Sequence, residues 1–526
     1  MTETLPRYYF ILAGSILLLL IPALFINLGL MPLIADEATR ALVAFEMQSS
    51  GDYITPTING AYYFNKPPLY NWILTLFFRL SGNYSEWMVR LPAVLSLLVF
   101  GLVIFFTTRK YTGNRPAFIS ALVFITAGRI LFYDSLLGLI DLSFSLLVFL
   151  NFILIYRFAT RKKYLLLFAL SYLVTSATFM MKGLPAILFQ VFTLVTALVY
   201  LKTWRKLFHP YHLAGIFLFA LLTGGYYYLL WNTSKEPDFF STLVTESTKR
   251  TFIEHGFLKT FLHLFTYPFE QVYHLLPWSL LFIFLFTKEF YRDIRSKPFL
   301  TYLSLVFLVN IPVYWISVDS YPRYIFMLYP VLLILLIQFY YSDNITKRTG
   351  KLLWTAVSIL VPAAFITGTW FFFRNEFTHP ERALRIYLLC ALLLVPGSIF
   401  FLKFREYRFE ILIICLLVLR IAFNLVILPE RLAGSLHQEQ KAKAVEIVDV
   451  TRGHELLLYP VHPVSVESIY YISTGRNEIL QLAKGPAKKG TYYLFDNRDP
   501  LRDGEEVVLT FRSRWKGREV RLSVFE

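Results

Sequence analysis

The chain has 526 residues, of which 56% are hydrophobic and only 16% charged, against about 25% charged in soluble domains. That balance excludes an ordinary soluble globular protein. The formal net charge of +16 does not point to nucleic acid, because most of the surplus lies in short loops between apolar runs, where basic residues set membrane orientation. Both cysteines, Cys390 and Cys415, sit inside apolar runs, so neither a disulfide framework nor a thiol metal site is implied.

The apolar runs recur at lengths near 20, the number of helical residues that crosses a hydrocarbon core of roughly 30 Å. They predict an all-α polytopic membrane protein with thirteen spans, at about 8–30, 88–108, 116–133, 135–156, 164–181, 184–201, 211–231, 271–287, 298–316, 324–341, 352–373, 386–402 and 409–428. The first run is long for the core of a signal peptide and reads as a retained signal-anchor. Placing the N-terminus in the cytoplasm makes every inner connection basic, at 109–115, 157–163, 202–206, 288–297, 347–351 and 403–408. An odd span count then puts the C-terminus outside.

Two outer segments are long enough to be structured. In the first, 31–87, a helix is expected over Ala38–Met47, and the apolar but short Leu69–Leu80 reads as an interfacial helix. The second, 232–270, is rich in ionisable residues, including Arg250. Composition divides the chain into a membrane part, 1–429, and an extracytoplasmic part, 430–526, with balanced charge and no spanning run. The latter predicts a small α/β domain: a helix over Leu436–Val450 and strands at Glu455–Tyr459, Ser468–Ile472, Thr491–Phe495, Val507–Arg512 and Val520–Val524. It holds no recognisable cofactor motif.

Chemistry-bearing residues gather near the outer ends of the spans. Asp36 and Glu37 follow the first span. They suit the cap and first turn of a helix, or a carboxylate poised to take a proton from an acceptor. Lys66, ahead of Pro67-Pro68, is either a lysine reaching for headgroups or one held on a rigid lead-in to bind a phosphate. Asp134 and Asp141 flank an apolar stretch and, seven residues apart, would lie two turns along nearly one face of a helix. Acids at membrane depth are functional candidates by default, and Asp141 is the deeper. Arg323-Tyr324 and Arg250 could add cations to one outer cavity, or simply anchor at headgroups.

The order Asp36-Glu37-Ala38, Glu46-Met47, Gly51-Asp52, Pro56, Asn59-Gly60, Tyr63-Phe64 and Lys66-Pro67-Pro68-Leu69 resembles the first outer loop of the GT-C glycosyltransferases. Within them it is most similar to the bacterial relatives of aminoarabinose transferases and protein O-mannosyltransferases. The resemblance implies an inner-membrane enzyme that moves a sugar from a polyprenyl-phosphate donor to a lipid, glycan or protein acceptor on the periplasmic side, with inversion. It maps the acid that acts as catalytic base or orients the acceptor to Asp36, the lipid-phosphate contact to Lys66, and a supporting acid to Asp141 or, second, Asp134. Arg323, Tyr324 and, more loosely, Arg250 would meet the phosphate. No cofactor is implied, and where aminoarabinose transferases carry an acid before the Lys-Pro-Pro this chain has Asn65, so a divalent-metal site would lack that ligand. The rival expectation, a transporter or flippase of lipid-linked sugars, requires repeat symmetry and midplane ionisable residues, and the two halves show no such correspondence.

Overall fold

The computed structural model describes residues 7–236, 257–318, 320–342, 352–359, 379–460, 464–513 and 518–525, with single positions at 241, 242, 245, 345, 350, 367, 370 and 374. Among them, eight helices are long and apolar enough to cross a membrane, or nine if a bent pair counts as one span. Thirteen were expected, and the shortfall has particular causes. The runs at 184–201 and 324–341 form helices of only 16 and 12 residues, Pro185–Tyr200 and Tyr329–Tyr340, each started by a proline in its first turn. The run at 271–287 divides between the end of a helix, Phe257–His274, and a 3-10 segment, Trp278–Phe286, with Pro277 between them. The run at 352–373 lies largely outside the described residues.

The third expected span is broken. Helices over 114–125 and 128–136 meet at an angle of 49°. Backbone groups freed inside a membrane must find partners within the protein. Here the Gly128 N–H donates to Leu276 O at 2.8 Å, and Trp278 Nε1 donates to Thr126 Oγ1 at 3.1 Å. Arg420, fully buried in the last span, donates to Ala23 O at 3.1 Å and also to Leu131 O. A Cβ on Gly128 would stand 2.6 Å from Leu276 O, so only glycine allows this approach.

Asp134 and Asp141 therefore do not share a helix face. Asp134 opens a 3-10 turn, Asp134–Leu136, whereas Asp141 is the first residue of the next span, Asp141–Thr160. The linker is pressed against the second span, where a Cβ on Gly138 would lie 2.7 Å from Val89 O. Local periodicity cannot reveal a break that tertiary contact imposes.

On the outer side, the helix Asp36–Ser50 packs against Leu69–Ser81, and between them a two-stranded hairpin, β1 (Thr57–Ile58) and β2 (Ala61–Tyr62), turns at Asn59-Gly60. Both turn residues have positive φ, 57° and 72°, the geometry for which Asn-Gly is favoured. Glu46 fixes the hairpin. Its carboxylate accepts from Thr57 Oγ1 at 2.7 Å, Asn59 N–H at 2.6 Å and Gly60 N–H at 3.2 Å. Burial pushes its pKa above the usual carboxylate range, against the opposing pull of those three donors.

The C-terminal residues build a four-stranded sheet in the order β3 (Leu456–Leu458), β4 (Tyr492–Asp496), β6 (Glu519–Phe525), β5 (Glu505–Arg512). Strands β3 and β4 are parallel and the other pairs antiparallel. The crossover between β3 and β4 carries the helix Val466–Arg476, so Ser468–Ile472 is helical and not the strand its Tyr-Tyr-Ile content suggests. Ser465 caps this helix by accepting the Ser468 N–H, and Ile469, Tyr470 and Ile472 are buried. One apolar core joins these residues to Leu33, Leu42, Phe45, Leu74 and Phe78 of the first outer segment. The sheet's helices and the outer loop thus pack as neighbours, and Asp36 sits at their junction.

Candidate active site

The chain enters the site through a tight turn, in which the Glu37 N–H reaches Ile34 O at 3.2 Å. Ala35 occupies the turn with φ 45° and ψ −117°, a conformation that belongs to glycine and costs a non-glycine residue about 1–3 kcal/mol. Asp36 and Glu37 then begin the helix; Ala35 takes the cap position and Asp36 is the first helical residue. Successive helical residues point about 100° apart, and the two acids part company.

Glu37 turns inward and is fully buried. Its Oε1 accepts from Arg90 Nη2 at 2.8 Å and the Ile34 N–H at 2.9 Å, and its Oε2 from Arg90 Nε at 3.1 Å and the Gly138 N–H at 2.8 Å. Arg90 in turn donates to Leu28 O, Met31 O and Pro32 O. With four donors on it, Glu37 ties the first span, the second span and the Gly138 linker together. Arg90→Ala would leave that carboxylate buried and unpaired, and a loss of about 3–5 kcal/mol is expected. Thermal unfolding in detergent checks this, and a variant as stable as the parent would refute it.

Asp36 turns outward, its side chain 69% exposed, and its Oδ2 accepts from Arg323 Nη2 at 2.9 Å. Arg323 belongs to the short turn Pro322–Ile325 and is itself only 10% exposed. Its Nε lies 3.1 Å from Asp141 Oδ2. Asp141 Oδ1 accepts from Lys182 Nζ at 2.5 Å, and Lys182, the last residue of the helix Tyr164–Lys182, stands 4.0 Å over the Tyr324 ring. Arg323 lies 4.2 Å over the Tyr321 ring. The result is a continuous chain of alternating charge, Asp36–Arg323–Asp141–Lys182, drawn from four separate elements. Asp141 gains further support from the positive end of the helix it begins.

Of the residues singled out in the sequence, the structure joins Asp36, Asp141, Arg323 and Tyr324. Asp134 is buried beside them and pairs with Arg129 at 2.9 Å. Among the described residues, neither of its oxygens accepts an aligned hydrogen bond. Lys66 is half-buried on the approach to the helix Leu69–Ser81. Phe64 and Leu69 on either side of it pack against the buried cluster of Met180, Tyr226 and Leu230. Arg250 lies outside the described residues. Sequence reasoning missed Arg90 and Arg129, whose signal was an arginine within a turn or two of an apolar run's outer end. Among the described residues, no group of three or more His, Cys, Asp or Glu side chains gathers as a metal site.

In sequence and fold the chain is similar to known proteins. Residues 65–231 match the family described as dolichyl-phosphate-mannose-protein mannosyltransferase. An uncharacterized protein of Aquifex aeolicus is 27% identical over 392 residues, covering 74% of each chain. An undecaprenyl phosphate-alpha-4-amino-4-deoxy-L-arabinose arabinosyl transferase of Pseudomonas fluorescens is 29% identical over 301 residues, covering 56% of this chain and 49% of the relative. The crystal structure of ArnT from Cupriavidus metallidurans bound to undecaprenyl phosphate superposes with a TM-score of 0.69 at 18% identity, covering 98% of both chains. With apolar helices of spanning length, a mannosyltransferase-family segment and the fold of ArnT throughout, the chain is a multi-pass membrane glycosyltransferase of the GT-C type.

Proposed function

We propose that this enzyme moves a sugar from a polyprenyl-phosphate donor to an acceptor of the cell envelope, on the periplasmic side of the inner membrane. The single observation that carries the reading is the charge chain Asp36–Arg323–Asp141–Lys182, which sets an exposed carboxylate beside buried cations. The activity for which the Pseudomonas fluorescens relative is named and the lipid in the ArnT crystal structure support the donor class. Basic inner connections support a cytoplasmic N-terminus. By the same rule residues 430–526 form a periplasmic domain set on a membrane part of 1–429.

In this reading Asp36 takes the proton of the acceptor hydroxyl or amine as that group attacks the anomeric carbon. The bond from that carbon to the phosphate oxygen breaks, and the lipid phosphate leaves with the electron pair. Attack opposite the leaving group inverts the centre. Arg323 and Lys66 meet the phosphate as donors of charge-assisted hydrogen bonds, with Tyr324 beneath Lys182 as the aromatic wall and Arg250 as a further cation from the second outer segment. Asp141 holds Arg323 and Lys182 in place, Asp134 does the same for Arg129, and Glu37 positions the helix that carries Asp36.

Purified protein incubated with radiolabelled polyprenyl-phosphate sugars and envelope lipids is expected to yield a labelled acceptor. Movement of intact lipid-linked sugar across vesicles without transfer would replace this reading with a flippase. Lys66→Ala removes a charge-assisted hydrogen bond of about 1.5–3 kcal/mol, so donor affinity is expected to fall by roughly 10- to 100-fold. Equal retention of labelled polyprenyl phosphate by variant and parent would remove Lys66 from the site.

A further inference from the structure

The residue ahead of Asp36 is held by the other end of the chain. The Ala35 N–H donates to Glu467 Oε1 at 2.8 Å. Glu467 is buried in the first turn of the crossover helix Val466–Arg476. One turn further along that helix, Tyr471 accepts the Leu33 N–H at 2.7 Å and donates to Glu86 Oε1 at 3.0 Å. Glu86 begins the second span and also pairs with Lys441 of the helix Leu436–Val450. The segment 33–35 is thus clasped between the second span and the C-terminal unit.

Ala35 holds φ at +45°, which an alanine leaves when nothing opposes it. A peptide rotation there would swing the first helical residue, Asp36, away from Arg323. Glu37 fixes the far side of the same turn through Ile34, but it places no restraint on the Ala35 N–H. Glu467 supplies that restraint.

We propose that the C-terminal α/β unit completes the active site, with Glu467 acting as a positioning residue that locks the Ala35 turn and so aims the Asp36 carboxylate. The proposal rests on Asp36 being the base of the transfer reaction, as read above. A misplacement of a catalytic group by about 1 Å lowers turnover by roughly 100-fold. Substrate affinity does not depend on Glu467, because the cations that meet the phosphate lie on other elements.

The test uses the full-length protein in detergent with a labelled polyprenyl-phosphate sugar, and it begins once the parent enzyme transfers. An inactive parent would strike at the functional reading and leave the clasp unaddressed. Glu467→Ala is expected to lower kcat by about 100-fold, with donor affinity within twofold of the parent. Glu467→Gln keeps an acceptor oxygen in place and is expected to stay within about threefold. Adding Ala35→Gly to Glu467→Ala lets the turn form without strain, and at least a tenfold recovery is expected. A merely structural role for Glu467 would show no such recovery, and its absence overturns the proposal. So does a kcat for Glu467→Ala within threefold of the parent. Should the alanine variant fail to fold, Glu467→Asp carries the test, since it keeps the charge but falls one methylene short of the Ala35 N–H. Full kcat in that variant overturns the proposal equally.

Discussion

Asp36→Asn is expected to abolish sugar transfer while leaving the protein folded and able to bind its donor. Asparagine has nearly the same shape, and its amide oxygen can still accept from Arg323 Nη2, which lies 2.9 Å from Asp36 Oδ2. Asp36 is the first helical residue and not the cap, and its side chain is 69% exposed, so folding draws little on its charge. The amide cannot take up a proton at neutral pH, and general-base assistance contributes typically 10²–10⁴-fold to a rate. The loss should therefore fall on kcat, by at least two orders of magnitude, with KM for the donor little changed. Turnover of purified variant and parent, followed with labelled polyprenyl-phosphate sugar, decides the matter. Normal turnover in the variant would refute the assignment of Asp36 as the base.

The same pair of acids shows what could and could not be read from sequence. An Asp-Glu pair behind a span, followed at fixed distances by Asn59-Gly60 and Lys66-Pro67-Pro68, was legible because turn chemistry and motif order are local. Which of the two acids turns outward came only from the resemblance and not from the residues themselves, since it depends on Arg90, 53 positions away from Glu37. The C-terminal fold was legible where alternation is strong, as at Tyr492–Asp496. It failed at Ser468–Ile472, where a serine cap and burial on two sides override the β-propensity of Tyr-Tyr-Ile. Among the described residues, fewer helices of spanning length form than the apolar runs predict, for a similar reason. Hydropathy registers apolar residues, whereas the break at Thr126-Ala127 is held by Leu276 and Trp278 from a distant segment, and the helix Tyr329–Tyr340 is started late by a proline. The contact of Glu467 with Ala35 has no sequence signal at all.

Asp141→Asn is expected to weaken the apo protein and to strengthen its hold on the lipid phosphate, while transfer collapses. Asp141 is 5% exposed and lies between Lys182 and Arg323, themselves 8% and 10% exposed. Two acids and two bases make the chain neutral as it stands. Removing one buried charge leaves Lys182 and Arg323 facing an amide, and breaking a buried pair costs about 3–5 kcal/mol. The freed positive charge is then available to an anion. A polyprenyl phosphate would bind the variant more tightly than the parent and would raise its unfolding temperature by more, since ligand stabilisation grows with the logarithm of affinity. Transfer suffers because Arg323, no longer anchored by Asp141, ceases to hold Asp36 and the leaving group in one geometry. Thermal unfolding with and without undecaprenyl phosphate, alongside turnover, separates these effects. An apo variant as stable as the parent would refute the stabilising role of the Lys182–Asp141–Arg323 contacts. A variant that binds the lipid more weakly would show that Asp141, and not the cations beside it, is what the phosphate end of the donor needs.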